Sequence, residues 1–271
     1  MTNATSPARP LAAAERPQHW TDPALTIPPR FCGPAGSGNG GYVCGRIAAY
    51  LDGHVTVTLR RPPPLATPMA VERGGESSVR IHHGRTLIAE ATTSPGSPPL
   101  EVPGPVSMAE ARTAAGRARY YCDPVFPACF VCGPSRQLGD GLRIFPGPVA
   151  DRPLWAAPWT PDPSVTDASG RVRPEVVWAA LDCPSGIAAA EAAGLAQDTA
   201  ILLGQMTASL AVLPAADEQY RVIAWPAGRD GRKLSAGSAL LGPGGQVLAA
   251  ASTVWLTVPR PVLALAAEGA S

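Results

Sequence analysis

The chain has 271 residues, 45% of them hydrophobic and only 16% charged, with a net charge of +1 and a pI near 7.6. That length suits two packed units of about 100 to 130 residues each, and a charge content below the roughly 25% usual for soluble domains argues for a folded rather than a disordered chain. No lysine or arginine cluster is long enough to track a phosphate backbone, which argues against nucleic-acid binding, and no apolar run approaches the roughly 18 to 20 residues of a membrane helix.

The first residues, 1–22, read as a loose arm, polar and rich in proline and alanine, without the apolar middle of a signal peptide. The expectation is a cytoplasmic protein whose six cysteines, Cys32, Cys44, Cys122, Cys129, Cys132 and Cys183, stay reduced. In GSGNGGYVCGRIAAYL, residues 36–51, Val43, Ile47 and Leu51 fall on one side of a helix opened by Asn39. HVTVTLRR then alternates as a half-buried strand does, and MAVER, SSVRIHH and TLIAEATT continue in that manner, with HHGR at 82–85 as a hairpin turn. The proline-rich SPGSPPLEVPGPV (94–106) is a connector. Ser107 and Glu110 make a capping-box pattern for a short helix expected to pack across the two halves.

The first pattern then returns. GLRIF and Trp155–Thr160 read as strands, and Val176, Val177, Ala180 and Leu181 form a helical stripe opening at Pro174. Pro184 is expected to kink or end that helix, which IAAAEAAG could then resume. TAILLGQMTASLAVLP, QYRVIAWP, KLSAGSALL and QVLAAASTVWLTV read as four closing strands joined by turns such as AGRDGR and GPGG. Helix followed by meander thus occurs twice, about 135 residues apart, the pattern of a diverged tandem duplication. The expected units are 23–100 and 123–260, joined by residues 101–122 and followed by a tail at 261–271.

A helix entered through Asn-Gly-Gly and followed by an antiparallel meander resembles the hot-dog fold of acyl-CoA thioesterases, in which a curved sheet wraps a central helix. NGGYVCGRIAAYL and EVVWAALDCPSG look like two such helices, RPPPLATPMAVERG like the strand pair after the first, and QVLAAASTVWLTV like a last strand. The resemblance covers roughly residues 23–260. It implies an α+β double hot dog, similar to those of the phenylacetate-pathway and acyl-CoA thioesterase II type, the intramolecular counterpart of the family's dimers. In single-domain relatives an acidic residue follows the second glycine of the motif by seven positions. That rule lands on Ala48 in the first half and on Asp182 in the second, where Arg173, Pro174 and Glu175 stand in the motif slots. The halves look complementary, so one complete site is implied, formed by Asn39, Gly40 and Gly41 with Asp182. The thioesterase II triad adds a threonine and a glutamine; Thr207 falls at the threonine, whereas Trp255 stands near the glutamine slot, a departure from the pattern.

Thioester hydrolysis passes through an anionic tetrahedral centre, which needs donors on one side and a base or nucleophile on the other. A helix N-terminus offers free amides and a positive dipole end. Gly40 and Gly41 would admit a carbonyl to those amides, at a cost of about 1 kcal/mol each in helix propensity; equally, GSGNGG could be a plain loop with an Asn cap, with Gly41 and Gly45 serving close packing against the sheet. Asp182, between Leu181 and Cys183 on an apolar helix, is costly there unless paired or functional; a structural carboxylate bonded to strand hydroxyls such as Thr207 is the competing reading.

CFVCG (129–133) is a single CxxC with Cys122 as the nearby extra thiol and His19, His54, His82 and His83 far off; similar openings in hot-dog proteins look like packing or turn elements, so buried thiols and no metal are expected. His82 and His83 are expected to be solvated. Arg229, Arg232 and Lys233 form a basic turn that could meet the phosphates of coenzyme A, although a solvated turn is the alternative. The tryptophans Trp155, Trp159, Trp178, Trp225 and Trp255 are expected in the core, one or two beside an acyl tunnel. No P-loop, GxSxG elbow or HExxH motif is present.

These readings add up to a cofactor-free thioesterase-like hydrolase of fatty or aromatic acyl-CoA or an acyl carrier, with assembly into a homo-oligomer left open. A hot-dog protein that only binds acyl-CoA or a protein partner is the alternative, favoured by Ala48 and Trp255. A dehydratase or hydratase ranks last, since neither central helix carries a histidine.

Overall fold

A computed structural model describes residues 22–94 and 100–260 of the chain. The expected arm (apart from Asp22), the tail and residues 95–99 of the connector lie outside the described residues. After a two-residue strand β1 (Ala24–Leu25), helix α1 (Gly40–Ala48) begins where Asn39 caps it, its Oδ1 accepting from the Tyr42 amide at 2.9 Å. The cap satisfies one of the amides a helix start leaves open, and Val43 and Ile47 turn the apolar stripe inward. The meander follows as β2 (His54–Leu59), β3 (Met69–Arg73), β4 (Ser78–His83) and β5 (Thr86–Ser94). Val55 and Val57 are buried while Thr56 and Thr58 are half-buried, as the alternation requires. His82 and His83 are the last residues of β4; the turn itself is Gly84 and Arg85.

The second run comprises α2 (Met108–Ala115), β6 (Gly147–Pro148), β7 (Trp155–Trp159), α3 (Pro174–Ala192), β8 (Thr199–Leu210), β9 (Tyr220–Asp230), β10 (Lys233–Leu241) and β11 (Val247–Pro259). All strands join one antiparallel sheet of 11 strands, in the order β1-β3-β4-β5-β2-β8-β11-β10-β9-β7-β6. Its middle is the β2–β8 pair, where Thr56, Val57 and Thr58 face Thr207, Met206 and Gln205. About this pair the order mirrors itself, with β5, β4 and β3 on one side and β11, β10 and β9 on the other. α1 and α3 pack on each other and on the sheet. A Cβ on Gly45 would lie 2.6 Å from the Cα of Glu175, so the helices approach more closely there than any side chain allows.

Three expectations change. The helix α2 has its capping box, with the Glu110 amide donating to Ser107 Oγ and the Ser107 amide to Glu110 Oε2. It does not bridge the halves, however: Ala111 and Ala114 join Val106, Leu154, Ala156, Ile223 and Ala239 in a second core behind β7, β9 and β10. GLRIF is irregular rather than a strand, because Arg143 takes a left-handed backbone (φ 53°) and turns the chain away from any ladder. The helix α3 runs through Pro184 without ending. Hydroxyls take up carbonyls of the preceding turn, Ser238 Oγ donating to Leu181 O and Ser185 Oγ to Asp182 O, each at 2.7 Å. Among the described residues no helix is long and apolar enough to cross a membrane.

Candidate active site

The close crossing of α1 and α3 decides which groups meet. Where the first turn of α1 reaches the middle of α3, a Cβ on Gly41 would stand 2.4 Å from Asp182 Cβ and 2.8 Å from Trp178 O. With no Cβ in the way, the Gly41 amide donates to Asp182 Oδ2 at 2.8 Å, and Asn39 Nδ2 donates to the same oxygen at 3.1 Å. Asn39 therefore serves two elements at once, its Oδ1 capping α1 and its Nδ2 holding the carboxylate. Gly40 is filled too: its Cβ position is 2.8 Å from Leu203 Cδ2. Leu203 fills the side-chain space at Gly40, while at Gly41 and Gly45 that space holds α3, so the close packing expected of those two glycines is made against α3 rather than against the sheet.

Asp182 is buried, and its Oδ1 has no hydrogen-bond partner among the described residues. Burial pushes its pKa up to about 7; the Gly41 amide pulls it down, the nearby Cys129 raises it again, and Asn39 lowers it. The carboxylate thus combines one oxygen fixed by two donors at the positive end of a helix with one oxygen left for other work. The first amide of α1, that of Gly40, also lacks a partner among the described residues.

Thr207 is not among the hydrogen-bond partners of Asp182; its hydroxyl meets that of Thr56 at 2.7 Å across the central strand pair. Arg229, Arg232 and Lys233 are exposed around the β9–β10 turn, where Arg232 Nε reaches Thr257 O at 3.3 Å. Trp155, Trp159, Trp178, Trp225 and Trp255 are all buried. Trp255 donates through Nε1 to Ser185 Oγ at 3.0 Å and Thr253 Oγ1 at 3.1 Å, a hydroxyl network under α3.

What sequence reasoning missed lies directly beside the aspartate. Cys183 comes 3.6 Å from Cys129, and the sulfurs of Cys129, Cys132 and Cys183 all lie within 4.8 Å of one another. Hydrogen bonds from the Cys132 and Cys183 thiols pull the Cys129 thiol well below its ordinary pKa despite its burial. The available signal was the position of Cys183 next to Asp182; it lies 50 positions beyond the end of CFVCG, and only the fold brings them together.

No protein-family model matches the chain. No curated protein matches it by sequence. Solved structures do match in fold. The tesB protein of Mycobacterium avium subs paratuberculosis aligns at a TM-score of 0.52 and 13% identity, over 87% of this chain and 92% of that one. The acyl-CoA thioesterase II TesB2 of Mycobacterium marinum aligns at a TM-score of 0.54 and 13% identity, over 81% and 89%. At such identity the likeness is one of fold: the chain shares the hot-dog architecture of these thioesterases.

Proposed function

We propose that the chain is an acyl-CoA thioesterase of the double hot-dog type, acting in the cytoplasm on a fatty or aromatic acyl thioester. In this reading residues 23–100 and 123–260 are two like units joined by 101–122, and the self-mirroring strand order about β2 and β8 supports it. The carrying observation is the 2.8 Å contact between the Gly41 amide and Asp182 Oδ2, which joins a helix start from one half to a carboxylate from the other.

The chemistry follows from what is fixed and what is left over. Asp182 Oδ1 takes a proton from water as the water oxygen bonds to the thioester carbonyl carbon. The carbonyl oxygen becomes the oxyanion and accepts from the Gly40 amide at the helix N-terminus. Collapse breaks the carbon–sulfur bond, and the departing thiolate takes the proton back from Asp182. Thr207 supplies the triad threonine, its hydroxyl leaving Thr56, while Arg229, Arg232 and Lys233 meet the coenzyme A phosphates.

A second reading has its own support. The Gly41 amide is already engaged by Asp182, and Leu203 stands over Gly40, as suits a protein that holds acyl-CoA without cleaving it. Thiol release from a panel of acyl-CoAs, measured for wild type and Asp182→Asn, separates the two. Release by wild type that the variant loses supports the esterase. Tight binding with no release by either supports the carrier.

A further inference from the structure

We infer that Cys129, Cys132 and Cys183 together hold one thiophilic divalent cation, zinc by the chemistry of the donors. The inference goes beyond the esterase reading and does not depend on it. Three sulfurs within 4.8 Å of one another, two of them 3.6 Å apart, have the mutual spacing that three thiolates take around a tetrahedral zinc at about 2.3 Å from each. Cys129 and Cys132 supply the short CxxC arm and Cys183 the distant third ligand, which is how structural zinc sites tie separate segments together.

The surroundings suit thiolates rather than buried thiols. A cysteine packed as a small hydrophobe needs no polar neighbour. Here Asn39 Nδ2 points at Cys183 Sγ (3.6 Å) and Cys129 Sγ (3.9 Å). Such N–H donors are the outer shell that steadies metal-bound sulfur. Gly133 closes the turn of CFVCG: its amide bonds to Cys129 O at 2.9 Å, and a Cβ there would lie 2.5 Å from the same oxygen. The cation would pin the irregular segment around CFVCG to the middle of α3, and through Asn39 to the start of α1. Three protein ligands leave one tetrahedral position outside the sulfurs.

The test reads metal, not turnover. Full-length protein is produced with zinc in the medium, purified without chelator and analysed for metal per chain. Wild type and Cys122→Ser, an exposed thiol outside the cluster, are expected to carry one equivalent, and Cys183→Ser to lose it at least tenfold. Should Cys183→Ser fail to fold, cobalt(II) titration of reduced wild type serves instead. A thiolate-to-cobalt charge-transfer band saturating at one equivalent and bleached by zinc supports the site. Wild type with no stoichiometric metal, no such band, and all three thiols open to a thiol reagent in the folded state overturns it. Thiol release from acyl-CoA is measured separately, so a metal-bearing protein without esterase activity leaves this inference standing, and a metal-free esterase sinks it alone.

Discussion

Gly41 and Asp182 are 141 residues apart in sequence, yet the amide of one donates to the carboxylate of the other at 2.8 Å, across a helix crossing with no room for a methyl group at Gly41. Contact and crossing depend on each other. Gly41→Ala is expected to drive the helices apart, at a cost of about 1–3 kcal/mol or more in stability, read by urea denaturation. Gly228→Ala, with nothing within 4 Å of its Cβ position, should stay within about 0.5 kcal/mol of wild type. Equal stability of the two variants would contradict the close crossing.

Asn39 caps α1 with one atom and holds Asp182 with another, and two substitutions separate these jobs. Asn39→Ala should lose about 1 kcal/mol of stability through the cap. Asn39→Ser keeps a capping oxygen but not the amide donor, so it should recover most of that stability while thiol release stays low. Full turnover in the serine variant would remove the Asn39 amide from the site's working parts.

Asp182→Asn should keep the fold, judged by circular dichroism, because a side-chain oxygen can still accept from the Gly41 amide. Its rate of thiol release should fall by at least about 10²-fold. An unchanged rate would take Asp182 out of the mechanism.

Buried Ser238 donates to the Leu181 carbonyl at 2.7 Å, in the turn that Pro184 disturbs. Ser238→Ala removes that bond and empties a buried hydroxyl site, and should cost about 1 kcal/mol. A neutral result in urea denaturation would mean that the helix carries its proline without help.

Glu110 in the α2 capping box has its pKa held below its ordinary 4.5 by hydrogen bonds from Ser107. A carboxyl lowered by folding contributes stability above its unfolded value and loses it as pH falls through the folded value. The stability gap between wild type and Glu110→Ala should therefore be widest near neutral pH and close as the pH drops below about 4. A gap independent of pH would show that the charge of Glu110 does not matter to the cap.

Most strands and both long helices are legible in the chain because a strong period marks them: Val55 and Val57 alternating on β2, Val176, Val177, Ala180 and Leu181 banding α3. The departures come from effects that periodicity does not carry. Arg143 adopts a left-handed backbone within an apolar run. Pro184 sits inside a continuous helix whose Leu181 and Asp182 carbonyls take hydroxyl bonds from Ser238 and Ser185, and Ser238 lies 57 residues from the carbonyl it reaches. The half of the candidate site made by Asn39, Gly41 and Asp182 follows from a motif rule. The half made by thiols does not, since nothing local connects Cys183 to CFVCG.

The two outermost strands of the sheet, β1 and β6, are each only two residues long. A ladder needs a run of unpaired amides and carbonyls to recruit another chain, and edges this brief offer almost none. Among the described residues these brief edge strands thereby discourage growth of the sheet by stacking copies side by side.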